Sequence, residues 1–339
     1  MMVKIIENYD LSKLNTFGAP AKARYFAEVS SEEEARELFG SEIFKKEKKL
    51  FIGGGSNILF TEDFPGIVVR DNLRGIEIIS ESEGTARIKA MGGEPWAALV
   101  DFCAGRGWWG VENLSLIPGT VGAAPMQNIG AYGAELKNSL YMVEALDVQT
   151  GEKKTFHRDE CDLGYRTSIF KSSLKGKYFI TSVILDLKKH GEANTSYRVL
   201  SDYLEEKKIT VRGPKDVSDA VAEIRRSKLP DPAKIGNAGS FFKNIFVSEE
   251  KLAELLSRFP DMRYFREDGT AKIPAGWLIE QCGWKGKKVG RAGVHDKQAL
   301  VLVNLGGADG KEIKRLAEMI IRSVEEKFGL RLETEVNIC

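Results

Sequence analysis

Leu50-Phe51-Ile52-Gly53-Gly54-Gly55-Ser56-Asn57-Ile58-Leu59-Phe60 is the stretch that decides the fold. An apolar run ends in three consecutive glycines, so backbone N–H groups can turn inward with no Cβ in the way. Such a concavity holds phosphate oxygens. Ile58-Leu59-Phe60 is apolar again and reads as more strand. A Walker loop would need a Gly-Lys-Ser/Thr ending that opens a helix, and a dinucleotide fingerprint would need GxGxxG opening a helix. Neither is present, so the stretch predicts a phosphate cradle of a third kind. A second glycine-rich segment, Ile117-Pro118-Gly119-Thr120-Val121-Gly122-Ala123-Ala124-Pro125, strengthens the reading, because two such loops can clamp a pyrophosphate from both sides.

Composition narrows the partners. The chain has 339 residues, which suggests roughly two domains. Its net charge is +1, with acids and bases alternating along the sequence, which argues against nucleic acid or a membrane surface as partner. Four scattered cysteines and three histidines offer neither a disulfide framework nor a metal cluster. The N-terminus lacks the apolar core of a signal peptide, and no apolar run is long enough to span a bilayer. A reduced, cytoplasmic compartment is expected.

Local signals place the elements. Helices are expected over Ser31 to Phe39, Pro95 to Gly105, Asp216 to Lys228, Ser248 to Phe259 and Gly310 to Phe328. Strands are expected at Leu50 to Ile52, Ile67 to Arg70, Ile76 to Ile79, Ala86 to Met91 and Tyr178 to Leu187. Met142 to Phe156 reads as a hairpin turning at Thr150-Gly151, and Leu332 to Ile338 as a closing strand. The class is therefore α+β with many short strands, not a regular βαβ series. The polar stretch 190–212 is the expected linker.

Three further strings carry candidate chemistry. Gly239-Ser240-Phe241-Phe242 sets a hydroxyl in a glycine-flanked turn; with no adjacent base it suits proton donation better than nucleophilic attack. Gly164-Tyr165-Arg166 places an arginine among apolar residues, either for a structural salt bridge or to clamp a carboxylate. Glu333 and Glu335 point to one face of the closing strand by period-two alternation, which leaves either a solvated edge or one carboxylate lining a site.

Taken in order, Asn15-Thr16-Phe17-Gly18, the two glycine loops, Gln127 to Gly133, Gly164 to Lys171, Lys228 to Pro232, Gly239 to Asn244, Ala275 to Cys282 and Glu333 to Val336 resemble the UDP-N-acetylenolpyruvoylglucosamine reductase (MurB) family over nearly the whole chain. The resemblance implies a PCMH-type, vanillyl-alcohol-oxidase-like FAD-binding domain over 1–190, with subdomains of about 1–70 and 71–190. It implies a C-terminal α+β substrate domain over 191–339, whose last strand, 332–338, returns to the active site.

It further implies non-covalent FAD, held by Gly53, Gly54, Gly55, Ser56, Asn57, Pro118, Gly119, Thr120, Gly122, Ala123 and Ala124. NADPH would be the hydride donor and the enolpyruvyl ether of UDP-N-acetylglucosamine the acceptor. Ser240 matches the family's proton donor, and Arg166 with Glu335 the pair that polarises the substrate carboxylate. Glu335 helps there only if it is protonated or shares a proton. Tyr197 resembles the tyrosine of a mobile loop over the UDP pyrophosphate in one subtype, and Lys228 would neutralise the same phosphates. Tyr132, Asn244, Tyr264 and Gln298 would be further substrate contacts.

The chain departs from the family pattern at Ile245 and Thr334, where proline is expected, and at Asn337, where an arginine often occurs. A monomer is the expected state. Two alternatives stand beside this reading: another flavin oxidoreductase of the same fold acting on an alcohol or hydroxy acid, and a catalytically silent UDP-sugar-binding protein.

Overall fold

The computed structural model describes residues 3–267 and 269–339. Packing divides the chain into two compact units. The first runs through Tyr9, then Ala23–Gly55 and Phe64–Ser227; the second gathers Asp10–Lys22, Ser56–Asp63 and Lys228–Cys339. The break falls after Ser227, not within 190–212. That stretch carries helix Arg198–Glu206, which packs with helix Pro214–Lys228 through Leu200, Leu204, Val217, Val221 and Ile224.

In the first unit, strands Lys22–Val29 and Lys48–Ile52 flank Phe64–Asp71 in parallel, with Ile5–Asp10 at the edge. The helix expected from Ser31 forms because its hydroxyl accepts from the Glu34 N–H, with Glu32, Glu33 and Glu34 in the first turn complementing the helix dipole. A second sheet is antiparallel throughout, in the order Lys153–His157, Leu140–Asp147, Tyr178–Lys188, Thr85–Met91, Ile76–Glu81. The hairpin is present: Asp147 accepts from the N–H groups of Gln149 and Thr150, and Gly151 takes φ +73°. Trp96, Leu99, Val143 and Val183 centre its core.

The second unit contains an antiparallel sheet of Gly236–Ser240, Val301–Asn304, Ala292–Val294 and Lys288–Val289. Helix Gly310–Phe328 covers its core through Ile313, Leu316, Ile320, Val324 and Phe328. Asp309 and Glu312 form a capping box at the start of that helix, and Gly329 at φ +66° ends it.

The expected closing strand differs. Only Asn337–Ile338 is strand, paired in parallel with Ile58–Leu59. Thr334 instead bridges Phe242 in the antiparallel sense. The segment changes partner at Glu335-Val336, and period-two alternation breaks there. Glu333 is exposed and paired with Lys243, whereas Glu335 is 8% exposed. The two glutamates therefore do not share a face.

Candidate active site

The two glycine loops meet within the first unit. A Cβ on Gly53 would collide with Thr120 Oγ1, and one on Gly54 would lie 3.2 Å from the Gly119 Cα. Only glycine allows this approach of two backbones, and the result is a cleft walled by main chain. The second loop is pinned from behind: Gly119 O accepts from the Trp96 N–H at 3.0 Å, and the Gly122 N–H donates to Gly92 O at 2.8 Å. It then winds through short 3₁₀ turns at Val121–Ala123 and Pro125–Gln127. Main-chain walls, the Thr120 hydroxyl and two loops without side-chain bulk fit a cofactor bound through phosphates. Ser56 and Asn57 continue the first loop in sequence and belong to the second unit.

Asp71, at the end of the central parallel strand, carries no signal in the sequence. It is 7% exposed, its Oδ1 accepts from the Leu73 N–H at 3.0 Å, and a Cβ on Gly122 would lie 3.1 Å from its Oδ2. Burial pushes its carboxyl up to about 7, against smaller lowering by the Leu73 N–H and Arg74.

Arg166 sits in the same unit, at φ +55°, with its Nη2 donating to Gly130 O at 3.3 Å. Tyr132 is at φ +47° and Leu116 at φ +56°. Left-handed backbone in bulky residues costs on the order of 1–3 kcal/mol each and clusters at functional sites. Tyr132 stacks edge-on against Tyr197, with ring centres 5.5 Å apart.

Two residues that sequence reasoning missed organise this corner. Asn113 is buried, and its amide donates to Tyr132 O and Asn194 O, each at 2.8 Å; its Oδ1 meets no donor among the described residues. Asn194 in turn donates to Gly133 O at 2.9 Å, so the segment leading to Tyr197 is tied to the Tyr132 turn. Arg225, on helix Pro214–Lys228, donates from Nε to Leu116 O at 3.2 Å. Burial raises the pKa of Tyr132, opposed by Arg225 and aided by Tyr197.

In the second unit the structure brings Ser240 and Glu335 together. The Glu335 N–H donates to the carbonyl of Phe241, the residue after Ser240, at 2.8 Å. The Lys243 N–H donates to Glu333 O at 3.0 Å and the Phe241 N–H to Leu300 O at 2.8 Å, so the turn is held on both flanks. Ser240 is half-buried, and its hydroxyl has no hydrogen-bond partner among the described residues. Asn57 Nδ2 donates to Glu335 O at 3.3 Å. Asn337, at the position where an arginine was expected, uses its Nδ2 on Asn57 O at 3.0 Å, a structural contact.

Asn244 Oδ1 accepts from the Ala275 N–H at 3.1 Å, at the start of helix Ala275–Gln281. Gln298 lies against that helix, its Oε1 3.4 Å from where a Gly276 Cβ would be. Tyr264 packs half-buried on the core beside Arg266 and makes no hydrogen bond among the described residues. Lys228 is exposed. No group of metal-ligating side chains occurs among the described residues.

Two family models match. One, described as UDP-N-acetylenolpyruvoylglucosamine reductase, C-terminal domain, covers residues 231–339. The other, an FAD binding domain, covers residues 23–157. The UDP-N-acetylenolpyruvoylglucosamine reductase of Flavobacterium johnsoniae is 45% identical over 338 residues, spanning 99% of this chain and 100% of its own. That of Amoebophilus asiaticus is 47% identical, with 98% of each chain covered. A crystal structure of the Thermus caldophilus reductase (MurB) superposes over 100% of this chain and 99% of its own, with TM-score 0.67 at 22% identity. That of 6-hydroxy-D-nicotine oxidase from Arthrobacter nicotinovorans shares the fold at TM-score 0.53 and 12% identity, over 99% of this chain and 89% of its own. With relatives of that identity along its whole length, the chain belongs to the UDP-N-acetylenolpyruvoylglucosamine reductase family.

Proposed function

We propose that this chain uses NADPH to reduce UDP-N-acetylglucosamine-enolpyruvate to UDP-N-acetylmuramate, a step of peptidoglycan precursor synthesis. Family membership supports the reading, and one observation carries it. An uncommitted hydroxyl, Ser240, stands one residue from the carbonyl that anchors a buried carboxylate, Glu335. Bound FAD supplies hydride transfer from NADPH to the enolpyruvyl methylene carbon.

The chain's own residues do the rest. Gly53, Gly54, Gly55, Ser56 and Asn57, with Pro118, Gly119, Thr120, Gly122, Ala123 and Ala124, hold the cofactor through its phosphates. Ser240 delivers the proton that completes reduction of the double bond, to the carbon beside the carboxylate, and is reprotonated from solvent. Arg166 binds that carboxylate with its planar fork as charge builds on it. Glu335 shares a proton with the same group. Tyr197 closes over the UDP pyrophosphate in the manner of the Tyr-loop subtype, with Lys228 neutralising phosphate. Tyr132, Asn244, Tyr264 and Gln298 contact the remaining substrate. The enzyme acts as a cytoplasmic monomer on this small molecule, with no nucleic-acid partner.

The test is anaerobic. Purified protein reduced with NADPH loses its visible flavin absorbance; UDP-N-acetylglucosamine-enolpyruvate should restore it rapidly. Ser240→Ala should slow that return by more than the ~10²–10³ typical of losing one electrostatic partner, because the proton itself is gone. Wild-type flavin that stays bleached after substrate addition sinks the reading.

A further inference from the structure

The turn that carries Arg166 is sewn to the segment after the second glycine loop by side-chain hydrogen bonds. Ser168 Oγ donates to Met126 O at 2.7 Å, Lys171 Nζ to Gln127 Oε1 at 3.2 Å, Asn128 Nδ2 to Gly164 O at 3.2 Å and Arg166 Nη2 to Gly130 O at 3.3 Å. Reciprocal backbone bonds between Gly164 and Thr167, each at 3.3 Å, close the turn and put Tyr165-Arg166 at its tip. The φ of +55° at Arg166 is costly for a long side chain and persists only where the surroundings over-determine it.

Asn128 is fully buried and is itself left-handed, at φ +45° and ψ 65°, a conformation that asparagine tolerates. The Lys137 N–H donates to its Oδ1 at 3.0 Å, which fixes the amide. Nδ2 therefore faces Gly164 O, the carbonyl that closes the Arg166 turn, and Glu135 Oε2, which is 2.9 Å away. The same Glu135 oxygen pairs with Lys137 Nζ at 2.8 Å. This matters to Arg166, because a Cβ on Gly130 would lie 3.0 Å from the Glu135 Cγ and 3.5 Å from Arg166 Nη1. The carboxylate is thus a near neighbour of the guanidinium, and a carboxylate released beside an arginine captures its fork.

We infer that Asn128 is a positioning residue for Arg166. Its amide fixes the turn through Gly164 O and holds Glu135 off the guanidinium, which keeps the fork aimed at the substrate carboxylate. The inference rests on the reductase reading, in which Arg166 binds that carboxylate.

Asn128→Gly keeps the left-handed backbone and removes the amide. Asn128→Asp keeps the acceptor for the Lys137 N–H and loses the donor; it serves if the glycine variant does not fold, as judged by circular dichroism melts of the flavin-loaded proteins. Each is made alone and together with Arg166→Met, and the two half-reactions are read separately. Flavin re-oxidation by UDP-N-acetylglucosamine-enolpyruvate should slow about 10- to 10²-fold in Asn128→Gly, with flavin reduction by NADPH unchanged. In the Arg166→Met background the same substitution should change re-oxidation by less than about twofold, because a residue that acts through Arg166 then has nothing to act on. An equal loss in both backgrounds, equal slowing of both half-reactions, or no change in a folded variant overturns the inference and leaves the reductase reading intact. Arg166→Met that re-oxidises as fast as wild type removes Arg166 from the reaction and overturns the inference with it. A wild type that fails to re-oxidise defeats the reductase reading itself, before any variant is compared.

Discussion

Asp71 shows what burial does to a single carboxyl. With its carboxyl at about 7 in the fold against an ordinary 3.8, the folded state prefers it protonated. Its contribution to stability is fully present below about pH 4 and is lost as pH rises through about 7, amounting to at most about 4 kcal/mol. Asp71→Asn keeps an acceptor for the Leu73 N–H and cannot ionise. Relative to wild type, its melting temperature should therefore rise between about pH 5 and pH 8. Parallel melting profiles for the two proteins across that range would remove the argument. Nothing in the sequence marks Asp71, because an aspartate ending a strand before Asn72-Leu73-Arg74-Gly75 reads as an ordinary turn residue. Its burial comes from Gly92 and Gly122, which are distant in sequence. Arg225 escapes notice for a related reason: in Arg225-Arg226 on an amphipathic helix, nothing local separates the half-buried arginine that holds Leu116 O from the exposed one beside it. Ser240, Arg166 and Glu335 stand out in the sequence only because the strings around them are distinctive.

Among the elements, those specified by neighbours in sequence are legible and those specified by distant partners are not. The caps at Ser31, Ser248 and Asp309 and the left-handed Gly329 lie within a few residues of the ends they define. The closing segment is set by two partners, Phe242 on one side of Glu335 and Ile58-Leu59 on the other, so alternation alone places Glu333 and Glu335 wrongly on one face. The Tyr197 segment is the other case. Its anchor is Asn113, which holds both Tyr132 O and Asn194 O from a 3₁₀ turn far away in the chain. Asn113→Ala deletes two hydrogen bonds that together contribute about 1–3 kcal/mol to that arrangement. The expected result is a KM for the UDP-sugar raised by roughly tenfold, with the NADPH-driven half-reaction unaltered. Equal damage to both half-reactions would mean that Asn113 supports the cofactor cleft and not the tyrosine pair.

For the whole molecule, the division into units is legible only in outline, because the second unit is assembled from three separate stretches of chain. Along the sequence, Asn15-Thr16-Phe17 and Ile58-Leu59 read as parts of the first domain. In the fold, Phe17 is 1% exposed and Leu59 is fully buried, both in the core of the second unit. The Asn237 N–H donates to Thr16 O at 3.0 Å, and Asn304 Nδ2 donates to Phe17 O at 3.0 Å. Residues 228–339 therefore lack part of their own core. Deleting one buried phenylalanine or leucine costs about 2–5 kcal/mol, against a typical domain stability of about 5–15 kcal/mol. Losing Phe17, Ala19 and Leu59 together, with the parallel pairing of Ile58–Leu59 to Asn337–Ile338, removes most of that margin. Expressed alone, residues 228–339 should show no cooperative thermal transition and little near-ultraviolet circular dichroism, while the full chain shows both. A sharp melt from the isolated fragment would establish that Asp10–Lys22 and Ser56–Asp63 are dispensable, and that this unit folds from its contiguous stretch alone.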